Sequence, residues 1–145
     1  MNSERIDEVI ERYLHERMEK GEETARRRFL AYAYLKHGGD ELLEFLLKVG
    51  GMSRLYIKHL KGMENSFKWP EMAWFAVMMA VGIYGYALTS DEGSQTLGIV
   101  LASGALVHAF SLFCMITRKM REIGIRIALY HEIIQIVEKE LLAAA

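Results

Sequence analysis

Between Thr96 and Thr117 the chain carries no Asp, Glu, Lys or Arg. A helix rises ~1.5 Å per residue, so about twenty residues cover the ~30 Å hydrocarbon core of a bilayer. The stretch reads as a membrane span. It constrains the fold more than any other feature, because backbone polar groups inside a bilayer must be satisfied within the protein. No break signal follows it. The chain continues as RKMREIGIRIALYHEIIQIVEKELL, with apolar residues at Phe113, Ile116, Met120, Ile123, Ile127, Tyr130, Ile134, Val137 and Leu141. That alternating three- and four-residue spacing is the heptad rule for a helix presenting one seam to a partner. It predicts one long helix that starts as a span and ends outside the bilayer. Leu129, Ile133 and Ile136 widen the apolar face, which favours burial in a bundle over a two-stranded coil. The bundle is formed either with the amino-terminal helices of the same chain or with further copies.

A second apolar stretch lies upstream. Trp69-Pro70 opens it, and Glu71 is its single charge before Thr89. Proline is tolerated in a first helical turn, Trp suits the headgroup boundary, and an acid near a helix start is favoured by the dipole. The segment SDEGSQ, residues 90–95, then reverses the chain. Spans 70–89 and 96–117 are therefore expected to form an antiparallel transmembrane hairpin. Arg54, Lys58, Lys61 and Lys68 precede the hairpin, and Arg118, Lys119, Arg121 and Arg126 follow it. The connecting turn has no Lys or Arg. The positive-inside rule places both termini in the cytoplasm and the turn outside. The expected fold is an all-α integral membrane protein of an inner or plasma membrane. It has a cytoplasmic helical region over 1–68, the hairpin over 69–117 and a cytoplasmic amphipathic helix over 118–145, continuous with the second span.

The amino-terminal region predicts short helices. Ile6, Val9, Ile10, Tyr13 and Leu14 form one stripe over Glu4 to Lys20, with Ser3 as N-cap and Gly21 as stop. Ala25, Phe29, Tyr32 and Ala33 mark a second helix from Glu22 to Lys36. A leucine-rich third helix, Glu41 to Val49, is expected to end at Gly50-Gly51, because paired glycines permit sharp reversals. A fourth then starts at Ser53, and its basic character suits a membrane interface. The cluster Arg26-Arg27-Arg28 is either a solvated face or a contact for anionic headgroups.

The function classes narrow from what is missing. A formal net charge of −1 argues against a general nucleic-acid binder. Cys114 stands alone, so no intramolecular disulfide forms. The amino terminus lacks the apolar core of a secretory signal. No nucleotide loop, nucleophile elbow or zinc ribbon occurs, so no catalytic residue is named. Glu11, His15 and Glu19 share a helix face, and His131 adjoins Glu132, but the Glu-x-x-His pair of helical metal sites does not occur. No metal and no cofactor are expected.

Three groups of residues remain as candidates. His108 sits near the middle of the second span, where an ionisable side chain is costly and faces protein or water. Gly104 and Ser111 share its face. The group either lines or gates a proton or ion path, or it joins helices through hydrogen bonds. Gly98, Ala102, Ala105 and Ala109 form a stripe of small residues that lets helices approach closely, within the hairpin or between subunits, and Gly82 and Gly85 offer a facing groove. Asp91 and Glu92 either ring the outer mouth of a pore or simply cap the second span.

The basic helix from about Ser53, the two tightly joined spans and the closing run RKMREIGIRIALYHEIIQIVEKELL resemble the SLATT type of two-span membrane domain. The likeness lies in this pattern over roughly the last two thirds of the chain. It implies a pore-forming membrane effector of a prokaryotic conflict system, governed by a nucleotide-signal enzyme, and it assigns no residue a role. Together the residues and the resemblance lead to a small homo-oligomeric pore or ion channel in the lipid bilayer. The alternative is a membrane-anchored scaffold or accessory subunit that holds a cytoplasmic protein partner through its helices. An enzyme ranks behind both.

Overall fold

The structure, a computed structural model, describes residues 3–65 and 68–144, without the side chains of Ser3, Glu4 and Ala144. The expected Ser3 cap therefore lies outside the described residues. These residues form five helices and no strand: α1 Ser3–Lys20, α2 Glu22–Lys36, α3 Asp40–Met63, α4 Pro70–Leu88 and α5 Gln95–Ala144. Both α4 and α5 are long and apolar enough to cross a bilayer. The chain divides into two compact units, one made of Met1–Lys61 and Ile125–Ala145, the other of Gly62–Gly124.

In the first unit, glycines place the breaks. Gly21 at φ 85° separates α1 from α2, and Gly39 at φ 54° leads into α3. Both sit in the left-handed region that side chains avoid. His37 N–H closes α2 on the carbonyl of Ala33 at 3.0 Å, and Leu42 N–H opens α3 on that of Gly39 at 3.1 Å.

The expected break at Gly50-Gly51 does not occur, and α3 runs through it as one helix of 24 residues. The reason is tertiary. Gly50 is buried, and a Cβ there would lie 3.3 Å from Val137 Cγ1 of α5. Glycine marks a close approach of two helices here, not a reversal. Phe45, Leu46, Val49 and Ile57 are buried on the same helix. Fully burying such side chains contributes about 1.5–3 kcal/mol each, which outweighs the ~1 kcal/mol that each helical glycine costs relative to alanine. Ser53, expected to begin a new helix, is instead a fully buried interior position.

The core of this unit joins all its helices. Ile10 and Tyr13 of α1, Phe29 and Ala33 of α2, Phe45 and Val49 of α3 and Ile133 and Val137 of α5 are buried together. Tyr13 meets Phe29 edge-on at 5.8 Å, His37 stacks on Phe45 at 4.5 Å, and Tyr56 stacks on Tyr130 at 5.3 Å. Of the two covers considered for the wide apolar face of the terminal helix, this chain's own α1–α3 supply one. The second unit holds α4 and the first half of α5, and it carries the candidate site.

Candidate functional site

In the second unit, α4 meets α5 where side chains are smallest. A Cβ on Gly85 would lie 2.6 Å from the Ala102 backbone nitrogen, and one on Gly98 would lie 2.7 Å from the Gly85 carbonyl oxygen. A Cβ on Gly82 would lie 3.6 Å from that of Ala105. Ala105 and Ala109 are buried. Nearer the start of α4, Lys119 Nζ donates to Glu71 Oε1 at 3.1 Å and lies 4.6 Å from the centre of the Trp69 ring. Trp69 Nε1 donates to the carbonyl of Met63 at 2.9 Å. Partners thus step down α4 as they step up α5.

This contact corrects two positions of the seam. Leu112, Ile116 and Ile123 continue the small-residue stripe, and Leu112 is 8% exposed while its neighbour Phe113 is 55% exposed. Met120 is exposed as well. The expected heptad is buried at Ile116 and Ile123 and exposed at Phe113 and Met120, because the backbones of α4 and α5 approach along Gly98, Ala102 and Ala105, a stripe that Leu112 continues. Glycine and alanine there set the register, and Leu112 and Ile116 follow from it.

Gly104, His108 and Ser111 all lie on exposed parts of α5. A Cβ on Gly104 would meet nothing within 4 Å. Other hydroxyls of the apolar run are satisfied within their own helix. Ser103 Oγ donates to the Ile99 carbonyl at 2.7 Å, and Thr117 Oγ1 to that of Phe113 at 2.8 Å. Among the described residues the His108 imidazole and the Ser111 hydroxyl have no such partner. Asp91 and Glu92 are exposed in the turn between α4 and α5. Cys114 is an exposed free thiol.

Sequence reasoning missed a polar clasp in the first unit. Each of α1, α2 and α3 makes a polar contact with a carboxylate of α5. Tyr13 Oη donates to Glu132, and Arg17 Nε reaches both Glu132 oxygens at 3.0 Å. Tyr34 Oη donates to Glu140 at 2.6 Å, and Arg54 Nη2 to Glu138 at 2.8 Å. Tyr56 Oη donates to Asp7 at 2.7 Å, tying α3 to α1. Burial, and then the bond to Glu132, push the Tyr13 hydroxyl well above the ordinary tyrosine range. The bond to Asp7, reinforced by burial, pushes Tyr56 up to about 12. The available signal was a tyrosine on a stripe edge of α1 and of α3, a position whose ring is buried and whose hydroxyl then needs an acceptor.

Several other titratable groups have ordinary partners. His15 pairs with Glu19 at 3.3 Å on the surface, and His131 Nδ1 lies 2.9 Å from the Ile127 carbonyl while Glu132 is engaged by α1. In the arginine cluster, Arg27 pairs with Glu23 and Arg28 with Glu16, each at 3.0 Å. No three His, Cys, Asp or Glu side chains come together as a metal site among the described residues. Comparison with protein-family models, with curated proteins and with solved structures finds no match to this chain.

Proposed function

We propose that this chain is a homo-oligomeric membrane protein whose α4 and α5 cross the bilayer as an antiparallel hairpin and whose α5 lines a pore. Both termini lie in the cytoplasm, on the side of Lys68 and Arg118, and Asp91 and Glu92 lie outside. The observation that carries the reading is the pair His108 and Ser111, exposed on α5 without a hydrogen-bond partner. Polar side chains at that depth pair with each other, with another helix or with water. A lone two-helix hairpin encloses no aqueous path, so further copies must close it. Gly104, on the same face and open, allows their close approach. The channel-type effector role of SLATT-like domains agrees with this arrangement.

The test has two parts. Native mass spectrometry in mild detergent counts subunits, and four or more are expected. Liposome flux then compares wild type with His108→Ala, whose flux should differ because His108 lines the path. A chain that stays monomeric in lipid, or flux that ignores the substitution, sinks the proposal.

A second reading has one specific observation behind it. Leu43, Leu47 and Leu55 of α3 are exposed. They favour a membrane-anchored scaffold that holds a cytoplasmic partner. A stable complex from native membranes that dissociates on Leu47→Glu, with no flux from the purified chain, would select this alternative.

A further inference from the structure

We infer that Lys68, Arg118 and Arg121 form a binding surface for anionic phospholipid headgroups, an inference that rests on α4 and α5 being membrane spans. These residues stand where the apolar runs stop. From Trp69 to Thr117 there is no Lys or Arg, and the turn at the other end carries Asp91 and Glu92. The charge difference therefore lies along the spans, with the cations at one boundary.

The local contacts leave these cations available. Lys119 is engaged by Glu71 at 3.1 Å and by the Trp69 ring at 4.6 Å. Lys68 and Arg121 make no ion pair among the described residues. Arg118 shares one with Glu122 at 3.0 Å, but both side chains are largely exposed, at 77% and 59%. Such pairs exchange readily for a better partner. Arg118 and Arg121 are three residues apart on α5, so their guanidinium groups stand on neighbouring positions of one helix and can take the same phosphate. Trp69 is 8% exposed, and its N–H is held by Met63. The headgroup-level indole is thus fixed in place next to Lys68 in the chain and against Lys119, at the level of these cations. Charge complementarity selects a phosphate-bearing lipid of net negative charge over a zwitterionic one, because the zwitterion's ammonium repels the same surface.

Trp69 supplies the readout. The full chain carrying Trp74→Phe is placed in vesicles of brominated phosphatidylglycerol mixed with phosphatidylcholine, and in the reverse labelling. Quenching of Trp69 then gives the relative affinity of the two lipids. A clear preference for phosphatidylglycerol is expected. Each removed cation should lower it, by up to about five-fold at low salt. The triple variant Lys68→Gln, Arg118→Gln, Arg121→Gln should show little preference, while Lys68→Arg with Arg118→Lys and Arg121→Lys keeps it. Equal quenching by both lipids in the starting protein, or an unchanged preference in the triple glutamine variant, overturns the inference. Failure of the protein to float with vesicles of either composition overturns the spans themselves, and the lipid surface with them.

Discussion

Gly50 and Gly51 are adjacent, and α3 uses them differently. Gly51 has open space where a Cβ would go, while that of Gly50 would press on Val137 at 3.3 Å. Gly51→Ala should therefore stabilise the fold by about 0.5–1 kcal/mol, the usual gain in an exposed helix. Gly50→Ala should fall short of it by at least ~0.5 kcal/mol, because Val137 must yield. Thermal melts of the two variants in detergent decide this. Ser53 offers a second test at this scale. Its hydroxyl is buried and unpartnered, so Ser53→Ala should leave stability unchanged or raise it by about 1 kcal/mol in the same melts. Tyr56 gives a pH signature. Its folded pKa of about 12 lies above the ordinary 10.0. The bond to Asp7 therefore contributes fully below about pH 10 and is lost as pH rises towards 12. Denaturant titrations across that window should show alkaline destabilisation that Tyr56→Phe reduces. Single residues were the least legible part of the sequence. A glycine pair carries the same letters whether it turns the chain or admits a neighbouring helix, and only the position of Val137 decides between them.

At the scale of elements, α1, α2, α4 and the unbroken α5 could be read from apolar periodicity and from breakers. Nothing between Gln95 and Ala144 interrupts the pattern. The division of α3 was misread because two glycines outweigh local propensity, whereas burial of Phe45, Val49 and Ile57 outweighs the glycines. The seam of α5 holds at Ile116, Ile123, Tyr130 and Val137 and fails at Phe113 and Met120, because small side chains set the contact with α4. This is testable with a crosslink. The Gly82–Ala105 approach of 3.6 Å between Cβ positions suits a disulfide. Gly82→Cys with Ala105→Cys, in a Cys114→Ser background, should form one within a single chain on oxidation. Adding Gly85→Leu should abolish it, since a side chain there meets the Ala102 backbone. Adding Gly104→Leu should leave it intact and lower the subunit number seen by native mass spectrometry. The His108–Ser111 face was visible in the sequence as polar letters in an apolar run. Their lack of a partner was not, because it depends on which side α4 takes.

For the whole molecule, the first unit needs both ends of the chain. Leu129, Tyr130, Ile133, Ile136 and Val137 are buried in its core. At about 1.5–3 kcal/mol for each fully buried apolar side chain, their removal costs an amount comparable to the whole stability of a domain, about 5–15 kcal/mol. Deleting 125–145 should therefore leave α1–α3 open to limited proteolysis, while the intact chain resists. The order of synthesis gives this arrangement a further consequence. The ribosome completes α1 and α2, then all of Gly62–Gly124, before the residues that cover α1–α3 exist. At about 5–20 residues per second that interval is several seconds or more, long compared with the collapse of a small helical unit. During biogenesis the apolar faces of Ile10, Phe29 and Val49 wait for a partner that arrives last. A holding chaperone, or early engagement with the insertion machinery, fits that interval, and the mature protein bears no trace of it.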